Sequence, residues 1–230
     1  MIYGFILSIN AKAQKIDKLI IQDHRYLDRD DECFFFAEYF NKDGVIINQG
    51  YGAGDNLISN LKIKKSETKR LKYGHKAKAI KQCADLIVKC FTVDKLKECL
   101  FIPIPPSKTK DDPEYDDRIN QILISIQEEA KLINSDIKFI DLLSTKLSRE
   151  QTSSHSGKNL TPKEHIDNWV ISPLNEDLNK YEVIIIFDDV ITTGSQFKAA
   201  KNIVQSLNTS AKIIGLFVAR RVLIHKKNQG

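Results

Sequence analysis

The chain has 230 residues, 42% hydrophobic and 28% charged, a balance that excludes a disordered or fibrous chain and allows a full buried core. Lys and Arg number 35 against 30 Asp and Glu, and the resulting +5 suits phosphorylated ligands while permitting, without requiring, a nucleic-acid partner. Cys33, Cys83, Cys90 and Cys99 form no C-x-x-C pair, which points to reduced thiols and away from a disulfide framework.

Residues 2–9 and, more weakly, 19–22 read as strands. The N-terminal run has neither a basic n-region nor a small-residue cleavage site, and no stretch approaches membrane-spanning length, so a cytoplasmic protein without a membrane partner is expected. The aromatic run at 33–40, CFFFAEYF, is a strand candidate, and residues 41–48 complete a hairpin, which gives the start of the chain an antiparallel character. Gly50, Gly52 and Gly54 lack the G-x-G-x-x-G order and read as turn punctuation.

The longest helix is expected over about 66–91, with Ile80, Cys83, Ala84, Ile87, Val88 and Phe91 on its buried face and Lys72, Lys76, Lys78 and Lys81 on a solvated one. Residues 99–104, CLFIPI, form a strand stopped by Pro105 and Pro106. A basic loop with Ser107, Lys108 and Lys110 follows, then a helix over about 113–134. Residues 139–143 and 168–172 read as strands, with a long polar segment at 144–165 between them that carries Arg149, Gln151, Ser154, His155 and Lys158.

Residues 181–196, YEVIIIFDDVITTGSQ, carry the most information. A β-branched run passes directly into Asp188 and Asp189, then through Val190 and Ile191 into Thr192, Thr193, Gly194 and Ser195, where a helix begins with Phe197, Ala200, Ile203, Val204 and Leu207 on one face. Such a strand–turn–helix gathers backbone N–H groups and the positive end of a helix dipole at one point, the makings of a phosphate site. The two acids would repel that phosphate unless they face another part of the ligand, such as sugar hydroxyls or a hydrated magnesium ion. A last strand at 211–219 leads to Arg220, Arg221 and a basic tail. The strands near Phe101, Phe139, Ile185 and Leu216, with helices between them, imply an α/β fold with a mainly parallel sheet and a site at its carboxyl ends.

The 181–196 run resembles the phosphoribosyl pyrophosphate (PRPP) motif of type I phosphoribosyltransferases. From about residue 33 to 221, FIPIPPSK, DDRINQIL, REQTSSHSGKNL and LFVARR, in that order, are similar to segments of the ComF-like members. The resemblance implies the type I phosphoribosyltransferase fold, with a small mixed or antiparallel hood over 1–65 and a core over 66–230 that carries a mobile loop at about 144–166. It implies transfer of ribose 5-phosphate from PRPP, with magnesium, to a nucleobase-like nitrogenous acceptor. Asp188 and Asp189 would hold the ribose hydroxyls and magnesium through water. Thr192, Thr193, Gly194 and Ser195 would wrap the 5′-phosphate, with Val190 and Ile191 in the same PRPP-binding run. The Ser107–Lys108 loop would receive the pyrophosphate, and Lys108 with the mobile loop that carries Arg149 would stabilise its departure. It also nominates Arg118, Asn120 and Gln121, and implies a cis peptide between Ser107 and Lys108. The four-cysteine zinc ribbon common in ComF-like proteins is missing from this sequence. The competing reading is a PRPP- or nucleotide-binding regulator or effector in competence or anti-phage defence, working with a protein or nucleic-acid partner; a homo-oligomer is compatible with either.

Overall fold

The computed structural model describes residues 13–40, 53–67, 70–149 and 159–223. The strand expected at 2–9, the hairpin partner at 41–48, Gly50, Gly52, and the loop residues Gln151, Ser154, His155 and Lys158 lie outside the described residues.

The chain enters through β1 (Gln14–Lys15) and β2 (Cys33–Tyr39), then α1 (Ala53–Leu61), α2 (Arg70–Val88) and the short α3 (Val93–Lys97). There follow β3 (Cys99–Pro103), α4 (Arg118–Leu132), β4 (Lys138–Phe139), β5 (Leu143–Thr145), α5 (Pro162–Asn168) and β6 (Trp169–Ile171). The chain ends in β7 (Val183–Ile191), α6 (Ser195–Ser206) and β8 (Lys212–Arg221). A six-stranded sheet runs in the order β1-β2-β8-β7-β3-β4, and β5 pairs with β6 apart from it. Every neighbour pair in the large sheet is parallel except β1 with β2.

The sheet is buried on both faces, which is why β7 reads as a continuous apolar run rather than an alternating one. Successive side chains turn to opposite faces. Phe101, Ile185, Phe187 and Leu216 pack with Ile80, Cys83, Ile87, Ile122, Leu123 and Ile126 from α2 and α4. Leu100, Ile102, Ile184, Ile186 and Phe217 pack on the other side with Phe197, Ile203 and Val204 from α6 and with Ile16 and Leu27 from the N-terminal segment. Phe101 and Phe187 meet edge to face at 6.4 Å, and burial of each such ring contributes about 2–3 kcal/mol. All four cysteines are buried free thiols.

Several expectations need correction. The aromatic run does form a strand, β2, antiparallel to β1 on one side but parallel to β8 on the other, with Phe35 opposite Phe217, so it extends the central sheet. Residues 19–22 make no strand. The Asp17 carboxylate accepts the N–H groups of Leu19 and Ile20 at 2.8 and 3.3 Å, a local bond that competes with any ladder, and a 3-10 turn at Ile21–Asp23 follows. The strand at 139–143 splits, because Leu142 N–H donates back to the Ile140 carbonyl at 2.9 Å, a three-residue turn that takes the chain off the sheet into β5. The helix expected from 113 starts at Arg118; turns such as Tyr115 N–H to Asp112 O, 2.9 Å, occupy the preceding residues. The polar segment at 144–165 is not all loop: α5 begins within it, with Pro162 in its first turn and a reciprocal capping box between Thr161 and Glu164. Gly54 sits in the first turn of α1 rather than in a loop, where a Cβ would come within 2.2 Å of the Glu38 carbonyl oxygen. Among the described residues no helix is long and apolar enough to cross a membrane.

Candidate functional site

The carboxyl ends of β3 and β7 lie side by side, with Pro103 opposite Phe187, and the two loops that leave them form the walls of one cleft. This is the place where ligands gather in an open α/β sheet. Asp188 and Asp189 extend the buried part of β7 into that cleft, and the two residues are 9% and 4% exposed.

The two acids are held differently. Arg118, at the start of α4, donates from Nε to Asp189 Oδ2 at 2.8 Å and from Nη1 to Asp116 Oδ2 at 2.8 Å. Lys76 on α2 completes the chain of charges by donating to both Asp116 oxygens at 2.8 Å and to the Ile63 carbonyl at 2.9 Å. Burial pulls the Asp189 pKa upward, but the charges of Arg118 and Lys62 outweigh it and hold the carboxyl below its usual range. Asp188 also feels Arg118 and Lys62, but among the described residues no cation makes an ion pair with it. Its Oδ1 accepts the Asp189 N–H at 2.8 Å, and burial followed by the charge of Asp189 pushes its pKa well up. Arg118 is kept fully protonated, since the Asp189, Asp116 and Asp188 charges overcome its desolvation.

The turn after β7 reaches its tightest point at Gly194, whose φ of 81° belongs to the left-handed region. The turn is backed from behind by the N-terminal segment. His24, fully buried, donates from Nδ1 to the Thr192 carbonyl, Tyr26 N–H donates to the Thr193 carbonyl at 3.0 Å, and the Leu27 side chain lies against Gly194. Asp31 anchors the same segment to α6 through Lys198 at 2.8 Å and Lys201 at 2.6 Å. The first residues of α6, Ser195 and Gln196, line the cleft, and their amides lack the intrahelical partners that later amides have; the Ser195 N–H reaches Thr193 Oγ1 at 3.4 Å. Inside the turn Thr193 Oγ1 donates to Ser195 Oγ at 3.1 Å, and His165 Nε2 from α5 stands 3.2 Å from the same oxygen.

The opposite wall is the loop after β3. Thr145 Oγ1 donates to the Pro106 carbonyl at 2.5 Å, Arg149 N–H donates to the Ser107 carbonyl at 2.9 Å, and Thr109 meets Ser148 Oγ at 3.0 Å. This loop is therefore laced to the segment after β5. The Ser107 hydroxyl is buried and finds no partner among the described residues. The cleft holds about 120 Å³ and takes the cationic side chains of Lys62, Arg118, Arg149 and Arg221 on its lining.

Of the residues nominated from sequence, Ser107, Arg149, Asp188, Asp189, Val190, Thr192, Thr193 and Ser195 line this one cleft. Lys108 does not turn the same way: its Nζ lies 3.7 Å from Asp112, and it lines a smaller neighbouring pocket with Tyr115 and Asn120. Ile191 packs into the core. The expected cis peptide is absent, as all described peptide bonds are trans. The trans form is the default because a cis bond outside proline costs about 3–4 kcal/mol and needs surroundings that enforce it. Of the residues nominated by resemblance, Arg118 reaches the acids, whereas Asn120 bonds Asp141 at 2.8 Å and Gln121 bonds Asp117 at 2.6 Å. His24, Lys62 and His165 were not singled out from sequence. Only His165 carried a readable signal, the T-P-K-E start of α5 that fixes a helix three residues before it.

No group of three or more His, Cys, Asp or Glu side chains converges as a metal cage among the described residues. The acid pair offers hard oxygen donors of the kind magnesium prefers, which fits an ion brought in by its ligand better than one held by the protein alone. Scanned against models of known protein families the chain matches none, and no curated protein matches it.

Proposed function

We propose that this chain binds PRPP with magnesium and transfers its ribose 5-phosphate to a nitrogenous, nucleobase-like acceptor with release of pyrophosphate. The observation that carries the reading is the meeting, in one cleft, of a buried acid pair with the amide-rich turn at residues 192–195, opposite Ser107 and Arg149. One ligand that needs all three is a sugar with a phosphate at one end, vicinal hydroxyls in the middle and a pyrophosphate at the other.

In this mechanism the 5′-phosphate lies on the α6 amides and the Thr193 and Ser195 hydroxyls. Asp189, kept ionised by Arg118, accepts from a ribose hydroxyl, while Asp188 in its protonated form can donate to or accept from the other. Asp188 and Asp189 would also hold magnesium through water, and a bound ion neutralises charge on the departing pyrophosphate. Arg149, Lys62 and the unpartnered Ser107 hydroxyl supply the remaining donors for that group.

The test is calorimetry with PRPP and magnesium, combined with pyrophosphate release across a panel of bases. Native protein should bind and turn over at least one acceptor, and an Asp188→Asn, Asp189→Asn double variant should stay folded and lose turnover by about a hundredfold or more. Full activity in that variant would sink the assignment. Binding with no turnover on any acceptor would favour the regulatory reading, which the turn of Lys108 toward Asp112 supports.

A further inference from the structure

His165 belongs to none of the roles above, yet it is 9% exposed, lines the cleft and touches the centre of the turn. Its Nε2 is 3.2 Å from Ser195 Oγ. That hydroxyl already accepts from Thr193 Oγ1 at 3.1 Å, and the Ser195 N–H faces Thr193 Oγ1 at 3.4 Å. The one hydrogen of the Ser195 hydroxyl has Nε2 within reach as its acceptor when the neutral imidazole carries its own hydrogen on Nδ1. Burial first, and the charge of Arg149 second, keep the ring neutral by lowering its pKa to about 4.

An anion on the α6 amides reverses the demand. Ser195 must give its hydrogen to the anion, and Nε2 then faces a hydroxyl oxygen to which it must donate. A ring that keeps its Nδ1 hydrogen meets this by gaining a proton on Nε2, whereas a change of tautomer would meet it with no pH slope. We infer that His165 is the positioning residue of this turn, taking up a solvent proton on Nε2 as the anion binds and turning the Ser195 hydroxyl toward the ligand. The bond Ser195 Oγ–H to Nε2 is exchanged for Nε2–H to Oγ; the serine keeps its own hydrogen, and the net change is one proton gained at the ring. The groups that act on the ring are Arg149 after β5, which opposes its protonation, Glu164 on α5, which favours it, and the Thr193 and Ser195 hydroxyls from the α6 side. The Trp169 ring lies beside it, centroids 5.4 Å apart and tilted by 37°. A bound dianion adds the negative charge that the ring lacks, so anion affinity rises as pH falls. The inference rests on the reading of residues 192–195 as the seat of the 5′-phosphate, and it deepens that reading by making the seat proton-linked.

Sulfate is a suitable probe because its charge is constant from pH 5.5 to 8, and Trp169, the one tryptophan of the chain, reports on the ring beside it. An imidazolium quenches indole fluorescence more strongly than neutral imidazole. Native protein should bind sulfate more tightly at pH 5.5 than at pH 8, by about threefold or more and within the tenfold per pH unit that one linked proton allows, with quenching on saturation. His165→Gln, which can turn its amide to donate to Ser195 without titrating, should bind sulfate with a pH slope reduced to what Asp188 in the same cleft supplies, and with no quenching. His165→Phe, which cannot donate, should bind about tenfold more weakly at every pH. Sulfate bound by native protein with a flat pH profile, or a slope as steep in His165→Gln as in native protein, overturns the proton linkage and leaves the PRPP reading standing. Failure of native protein to bind either sulfate or PRPP overturns both.

Discussion

Asp188 and Asp189 are adjacent in sequence and opposite in what they do to stability. Asp189 has its folded pKa depressed, so it contributes stability above the unfolded carboxylate value of about 4 and loses it as pH falls. Asp188 has its folded pKa raised, first by burial and then by its neighbour. Above about pH 4 the unfolded chain has released the Asp188 proton while the native state retains it, so this residue lowers stability as pH rises toward its folded pKa. An Asp188→Asn variant keeps the oxygen that accepts the Asp189 N–H and removes the burden. It should be more stable than the native protein at pH 7.5 by about 1 kcal/mol or more, with the gain shrinking toward pH 4, as read from urea unfolding at several pH values. A variant no more stable than native at pH 7.5 would show that Asp188 carries no such burden. The acids themselves were legible in the sequence as a pair. Their inequality was not, because it depends on Arg118, whose contact with Asp189 bridges 71 residues.

At the scale of elements, periodicity located most helices and strands, and what it could not locate was partnership. The aromatic run of β2 announced a strand, but nothing in it distinguished a hairpin from a parallel seat against β8, since both bury the same face. Helix α5 was written in residues 161–164 as a capping box around a proline, and it was obscured by the polar composition around it. The 3-10 turn at 21–23 arose from the Asp17 side chain, a local bond that hydrophobic pattern does not register. The turn between β7 and α6 was legible in outline, through Thr192, Thr193, Gly194 and Ser195, whereas its backing by His24, Tyr26 and Leu27 was invisible. That backing is testable at Gly194, where the positive φ and a Cβ 2.8 Å from Leu27 Cδ2 both oppose substitution. Gly194→Ala should cost about 1–3 kcal/mol in unfolding free energy and weaken sulfate or PRPP binding in calorimetry. Unchanged stability and unchanged binding would mean that the turn is free to move away from its support.

For the molecule as a whole, the parallel sheet puts the mouths of β3 and β7 together, and four cationic side chains line what would otherwise be an acidic cleft. The α/β class and the parallel order of its central strands were legible from the alternation of apolar runs and helices. The cationic lining was not, because Lys62, Arg118, Arg149 and Arg221 come from four separate segments. If PRPP occupies this cleft, it stabilises the native state by mass action, about 2.7 kcal/mol at a hundredfold excess over Kd. In a chain of 230 residues that corresponds to a rise in Tm of about 5–10 °C in a thermal melt with PRPP and magnesium, against none with ribose alone. No rise at millimolar PRPP would count against the site. The support behind the turn also has a consequence in time. His24 and Thr192 are 168 residues apart, and Lys198 reaches Asp31 across 167. During synthesis the segment around His24 leaves the ribosome long before β7 and α6 exist, and it has nothing to clasp until they arrive. Contacts of such separation form slowly, so if the turn seats an anion that affinity matures at the end of folding, and a refolding chain should regain its helices before it binds sulfate or PRPP.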